Sequence, residues 1–337
     1  MRISRRQFVK AMAAMSAASM LAACGGNSGS GSSGGKKALT FQIWDVAQKE
    51  GMEAMCAAYT QQHPEVSIEV QVTSWNEYWT KLEAAATSNQ MPDIFWMHTN
   101  ELLKYADNGM LADCSDIVEK DKFSEISLSN AMGSNGTLYA VPKDKDTVGL
   151  VYNKEMFDAA GVAYPDENWT WDDLVSASEK IYAATGKYGY MAYADDQLGY
   201  WNFVYQAGGY ILNEDKTKAG FTQPATEKAM KFYIGLQQND WCPDQTYFAE
   251  TAPGTAFFSE KGAMFLEGDW NILAELQNYP EMVGKWDVAV LPKCPDPESG
   301  DGRATISNGL CYATAASNKN LDTVKAVSYT HLTLPTT

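Results

Sequence analysis

The chain has 337 residues, with 42 Asp and Glu against 26 Lys and Arg, and a formal net charge of −16. So acidic a body repels phosphate backbones and anionic headgroups, which excludes nucleic acid and a purely electrostatic membrane surface as partners. Ten tryptophans stand beside only three histidines, His63, His98 and His331, a balance that disfavours Ser-His-Asp and metal chemistry.

At the N-terminus, Arg2, Arg5, Arg6 and Lys10 precede an uncharged run over 11–23 that is too short to anchor in a bilayer, so 1–23 reads as a signal peptide. Its end, Leu21-Ala22-Ala23-Cys24, resembles the lipobox of bacterial lipoproteins. That resemblance implies a lipid on Cys24 and an anchor on the outer face of the cell membrane. Ser4 to Lys10 also resembles a twin-arginine export signal, with an ordinary basic leader as the alternative. Residues 24–37 form a tether: ten of the thirteen residues after Cys24 are Gly or Ser, a flexible coil reaching about 20 Å. Without the leader's four bases, 22 Lys and Arg face 42 acids, a net charge of about −20.

The body that follows, about 290 residues, exceeds the usual size of one core, so two lobes are expected. Leu39 to Trp44 and Val66 to Val72 alternate apolar and polar and predict strands. Between them a helix over Glu50–Gln62 is stopped by His63-Pro64. A second amphipathic helix, Trp75–Ser88, leads to a short apolar strand over Pro92–Met97. Alternating units of this kind imply a parallel sheet with helices on both faces, and ligands sit beyond the carboxyl ends of such strands.

Pro142-Lys143-Asp144-Lys145-Asp146 then packs four charges ahead of an apolar strand at Val148–Tyr152. Glu155–Ala160 reads as a helix stopped by Gly161, and Thr170-Trp171-Asp172-Asp173 as a capped helix start running to Thr185. Further on, a strand is predicted at Tyr188–Tyr193, helices at Trp201–Ala207 and Pro224–Gln238, and strands at Gly262–Leu266, Trp286–Leu291 and Ala304–Ala315. The five remaining cysteines (56, 114, 242, 294 and 311) lack zinc-type spacing and read as buried thiols, with Cys242 and Cys294 as one candidate disulfide. The uncharged stretch after Ala326 looks like a foreign tail, so 327–337 is set apart from the fold.

Several of these stretches recur together in a known family: His63-Pro64-Glu65, Trp75 to Leu82, Pro92 to Trp96, Leu150 to Lys154, Trp169 to Leu174, Gly262-Ala263-Met264, Gly268-Asp269-Trp270 and Ser307-Asn308-Gly309. Residues 38–326 thereby resemble the extracellular sugar-binding proteins of ABC importers, a group similar to maltose-binding protein. The resemblance implies an α/β, two-lobed periplasmic-binding-protein-like fold, each lobe a mainly parallel sheet flanked by helices and here truncated at the C-terminus. Lobe 1 would comprise 38–146 and 309–326, and lobe 2 would comprise 147–308. It further implies a non-enzymatic monomer that needs no cofactor or metal, captures a sugar or oligosaccharide between the lobes and delivers it to a membrane permease.

On that reading, carboxylates at the cleft accept paired hydrogen bonds from adjacent hydroxyls, with Asp146 favoured over Asp144. Indoles at the ends of elements offer flat faces to the C–H faces of pyranose rings: Trp44, Trp96, Trp201 beside Tyr200, and Trp270. Asp45, His98, Glu267 and Asn308 complete the expected contacts, while Trp79, Trp169, Trp171 and Trp241 read as packing residues. Two stacked rings at roughly 1 kcal/mol each and three charge-assisted hydrogen bonds at about 1.5–3 kcal/mol each reach the ~8 kcal/mol of micromolar binding. The rivals are a lipid-anchored glycoside hydrolase, which also sets paired carboxylates among aromatics, and a carbohydrate-docking lipoprotein without transport.

Overall fold

Alternation along Lys37–Ile43 buries Leu39, Phe41 and Ile43 on one face of a sheet. The computed structural model describes residues 36–213 and 217–330; the signal peptide, Cys24, the tether as far as 35, and 331–337 lie outside the described residues. In chain order the strands are β1 (Lys37–Ile43), β2 (Val66–Val72), β3 (Ile94–His98), β4 (Val141–Pro142), β5 (Asp146–Asn153), β6 (Tyr188–Tyr190), β7 (Gly262–Gly268), β8 (Trp286–Ala289), β9 (Ser307–Asn308) and β10 (Leu310–Ala313).

β1 pairs in parallel with β2 on one side and β3 on the other. The helices Lys49–Gln62 and Trp75–Thr87 supply the two crossovers, as parallel neighbours require. Every residue of β3 is buried, as suits an interior strand covered on both faces. The first sheet runs β2-β1-β3-β10-β4 and the second β6-β7-β5-β8, with β9 beside the start of β5. One core gathers residues between Leu39 and Val141 together with Leu310 to Val327; two others lie within 148–294.

Local signals set the helix ends as the sequence predicts. Thr170 and Asp173 bond reciprocally at the start of the helix Trp171–Thr185, and Gly161 stops the helix Lys154–Ala160 with φ 62°. Inside the second unit, Trp171 stacks on Phe232 at 4.4 Å and donates to Gln206 at 2.7 Å.

Four expectations need correction. The sheets are mixed rather than mainly parallel: β10 runs antiparallel to β3 and β4, and β5 runs antiparallel to β7, β8 and β9. The reason is topological, because a chain that leaves one sheet and returns beside its own exit lays down antiparallel neighbours. The single strand expected over Ala304–Ala315 is two short strands, β9 and β10, parted at Gly309. All five described cysteines are free and buried, Cys242 and Cys294 included, and burial pushes the Cys56, Cys114 and Cys242 thiols up to about 12. Finally, the helix Leu321–Thr330 continues past Ala326, with Val327 fully buried in the first core. None of the described helices is long and apolar enough to cross a membrane.

Candidate functional site

The chain passes between the units beside β4–β5 and again at β9–β10, and these crossings lie side by side with Asp146 opposite Asn308. Gly309 makes that approach feasible, since a Cβ there would stand 2.5 Å from the Asp144 carbonyl oxygen. Gly309→Ala should therefore push the two crossings apart, costing about 1–3 kcal/mol of stability and weakening ligand binding. An unchanged melting temperature together with unchanged affinity would refute this close-approach account.

The first wall grows from the carboxyl ends of β1 and β3. Just past β1, the Trp44 indole meets Trp75, Tyr78 and Trp96 edge-on at 5.0, 4.9 and 5.1 Å, contacts worth about 0.5–1.5 kcal/mol each. Asp45 is held by the backbone of Ala47 and the amide of Gln48. His98 closes β3 and caps the helix Thr99–Asp107, its Nδ1 accepting from the Asn100 N–H at 3.2 Å. Burial lowers the His98 pKa to about 4 in spite of Asp144 and Asp196 nearby, so at neutral pH the ring is uncharged with its proton on Nε2. That nitrogen lies 3.4 Å from the Asn308 amide.

Asp144 and Asp146 differ in their partners. Asp144 accepts from the Leu310 N–H at 2.7 Å and pairs with Lys143, whose ammonium also reaches Gln48 and lies 4.8 Å over the Trp96 ring. Its carboxylate is committed to holding the crossings together. Asp146, by contrast, accepts no side-chain hydrogen bond from the described residues. Burial above all, then Asp144 and Asp269, raise its pKa to about 7 against the pull of Lys143.

The second wall comes from the other unit. Trp270 lies directly against the backbone at Gly268, where a Cβ would collide with the indole at 2.3 Å. A turn at 195–200 is capped by Asp195, which accepts from the Leu198 N–H at 2.7 Å. The buried Asn202 ties this turn to the returning chain, donating to the Gln197 carbonyl at 2.7 Å and accepting from the Ile306 N–H at 2.9 Å. Gln197 in turn accepts from the Asn308 amide, whose Oδ1 is buried without a partner.

Trp44, Asp45, His98, Asp144, Asp146, Trp270 and Asn308 line one cavity of about 400 Å³. Four other expected residues do not. Trp96 is fully buried one layer below, because β3 places it two residues before His98; it supports Trp44 from behind. Tyr200 packs 6.4 Å from Tyr233, and Trp201 opens the helix Trp201–Gln206 with its Nε1 buried. Glu267 faces a neighbouring chamber. The sequence reading missed Gln48, Trp75, Asp195, Gln197, Leu198, Asn271 and Leu310 on the same cavity. Trp75 carried a usable signal, a large aromatic at the exposed first turn of a helix, 42% exposed; the 195–198 turn carried none.

No Lys or Arg lines the cavity among the described residues, and its charged side chains are all aspartates. It offers acceptors to hydroxyl donors and flat indole faces to apolar ring faces, while repelling anions.

A family model described as "Bacterial extracellular solute-binding protein" matches residues 44–327. The chain is 25% identical over 291 residues to a lactose-binding protein of Rhizobium radiobacter, covering 83% of this chain and 67% of that one. Among solved structures it is similar to an ABC transporter solute-binding protein from Thermotoga lettingae bound with α-D-tagatose, at a TM-score of 0.74 and 25% identity, covering 88% of this chain and 77% of that one. A substrate-binding protein from Listeria monocytogenes in complex with cycloalternan shares the fold at a TM-score of 0.76 and 24% identity, covering 88% and 75% of the two chains.

Proposed function

This chain belongs to the bacterial extracellular solute-binding protein family, and from that premise we propose that it captures a neutral or cationic sugar or oligosaccharide between its two units and presents it to an ABC permease. The observation that supports this reading is the cavity itself, which Trp44 and Trp75 from one unit and Trp270 from the other line together with Asp146 and Asn308. On this reading the indoles take the apolar faces of a pyranose, and the carboxylate and the amide take its hydroxyls. Only two described stretches cross between the units at the cavity, a suitable basis for hinge closure on the ligand. Lipid on Cys24 would keep the protein, acting as a monomer, beside its permease. The chemistry is binding without bond cleavage.

Tryptophan fluorescence during titration with neutral oligosaccharides, with product analysis on the same samples, tests this. Saturable change with intact sugar is expected, and a uronic acid of the same size should bind at least tenfold more weakly, because no Lys or Arg among the described residues lines the cavity to receive its carboxylate. Released reducing sugar would instead indicate a hydrolase, and no response to any sugar would overturn the reading.

A further inference from the structure

Beside the cleft, and meeting it at Leu198 and Asn271, lies a second chamber of about 230 Å³. Its walls are largely apolar, with Met191, Tyr193, Pro253 and Phe265 among them, yet it contains the carboxyls of Glu267 and Glu275. Glu267 is 94% buried, and its Oε1 accepts from the Gly268 N–H at 2.8 Å and from the Asn271 amide at 2.9 Å. Its Oε2 accepts nothing from the described residues and points toward Gly254, as does Glu275. A Cβ on Gly254 would stand 3.5 Å from Glu267 Oε2 and 3.0 Å from Glu275 Oε1, so both oxygens border one small space. Burial raises both carboxyls, Glu267 to about 7, and no Lys or Arg lines the chamber among the described residues.

We infer that this chamber is a subsite for a protonated amine, so that the preferred sugar carries an unacetylated amino group whose ammonium lies between Glu267 and Glu275. The inference rests on the sugar-binding reading above and names the class of sugar. A hydroxyl would donate one hydrogen bond and leave both carboxylates without a counter-charge. An ammonium donates three and brings a positive charge between the two acids, which counts for most where water is scarce. A metal ion fits less well, since no described cluster of three His, Cys, Asp or Glu side chains could hold one, and hard cations take six or more oxygens.

The experiment measures dissociation constants at pH 7 for a dimer of 2-amino-2-deoxyglucose, its N-acetylated form and the corresponding glucose dimer. The free amine should bind at least tenfold more tightly than either neutral dimer. That ratio should collapse to about threefold or less in Glu267→Gln and in Glu275→Gln, and also in Gly254→Ala, which fills the space without changing charge. Thermal unfolding verifies that each variant is folded, and the ratio within one variant is insensitive to a general loss of affinity. Neutral dimers that bind as well as the amine, or a preference unchanged in all three variants, would overturn this inference while leaving sugar capture intact. Failure of every dimer to bind would overturn both, and tight binding of a simple diamine would overturn the assignment to a sugar.

Discussion

Asp146→Asn should lower sugar affinity about a hundredfold while making the folded protein more resistant to rising pH. The carboxylate lines the cavity with no hydrogen bond from a described side chain, so on the proposed reading its acceptor capacity goes to the ligand. Two charge-assisted bonds reduced to one neutral bond lose about 2–3 kcal/mol. The stability effect has the opposite sign. Burial raises this carboxyl from 3.8 to about 7, so between pH 4 and 7 the folded chain holds a proton that the unfolded chain has released. Stability therefore falls as pH rises through that window, and the cost is complete above pH 7. The asparagine variant lacks that cost, so its melting temperature should exceed the wild type's at pH 8 and converge with it at pH 4. Glu267, also raised to about 7, preserves part of the slope in both proteins. Parallel melting profiles across pH 4–8 would show that Asp146 does not titrate as its burial implies. In the wild type, a sugar that hydrogen-bonds the ionised form should release protons on binding near neutral pH, which calorimetry in buffers of different ionisation enthalpy detects.

Trp44→Ala should damage binding and folding together. Its indole is the centre on which Trp75, Tyr78, Trp79 and Trp96 converge, so truncation leaves a cavity bordered by four rings and should cost about 3–5 kcal/mol of stability. The cleft loses one aromatic face, and Trp75 and His98, 5.6 Å apart, lose the packing that orients them. A drop of tenfold or more in affinity follows. Trp270→Ala is the contrasting case. It is half-buried against Gly268 and the edge of the second core, without a ring cluster of its own among the described residues, so a comparable loss of affinity should come with a smaller change in melting temperature. Equal destabilisation by the two substitutions would mean that Trp270 is a core residue rather than a ligand face.

Residues whose role depends on neighbours in sequence were legible, and those whose role depends on a distant segment were not. The helix stop at Gly161 and the capping box at Thr170 follow from a few adjacent residues. The strand at Val148–Tyr152 was read from its pattern, yet nothing in that pattern reveals that Asn308 would stand opposite Asp146. Trp96 shows the limit of local reasoning about aromatics. An indole near a strand end reads the same whether it stands at the rim or one layer below, and only the depth of β3 under Trp44 and Lys143 separates the two.

By itself the sequence determined the β-α-β start, the helix signals at Gly161 and Thr170, the acidic charge and the abundance of indoles, because propensity, periodicity and composition act over a few residues at a time. It also carried enough linked motifs to point to the solute-binding family. Tertiary structure alone decided that Asp144 is spent on Leu310 and Lys143 while Asp146 lines the same cavity without a side-chain donor among the described residues. It likewise decided that Gln197 and Asn202 brace the returning chain, and that Glu267 shares a chamber with Glu275. The bonds of Asp144 with Leu310, Asn308 with Gln197 and Asn202 with Ile306 join segments far apart in the chain, and the burial that raises Asp146 and Glu267 exists only once both units have packed around them.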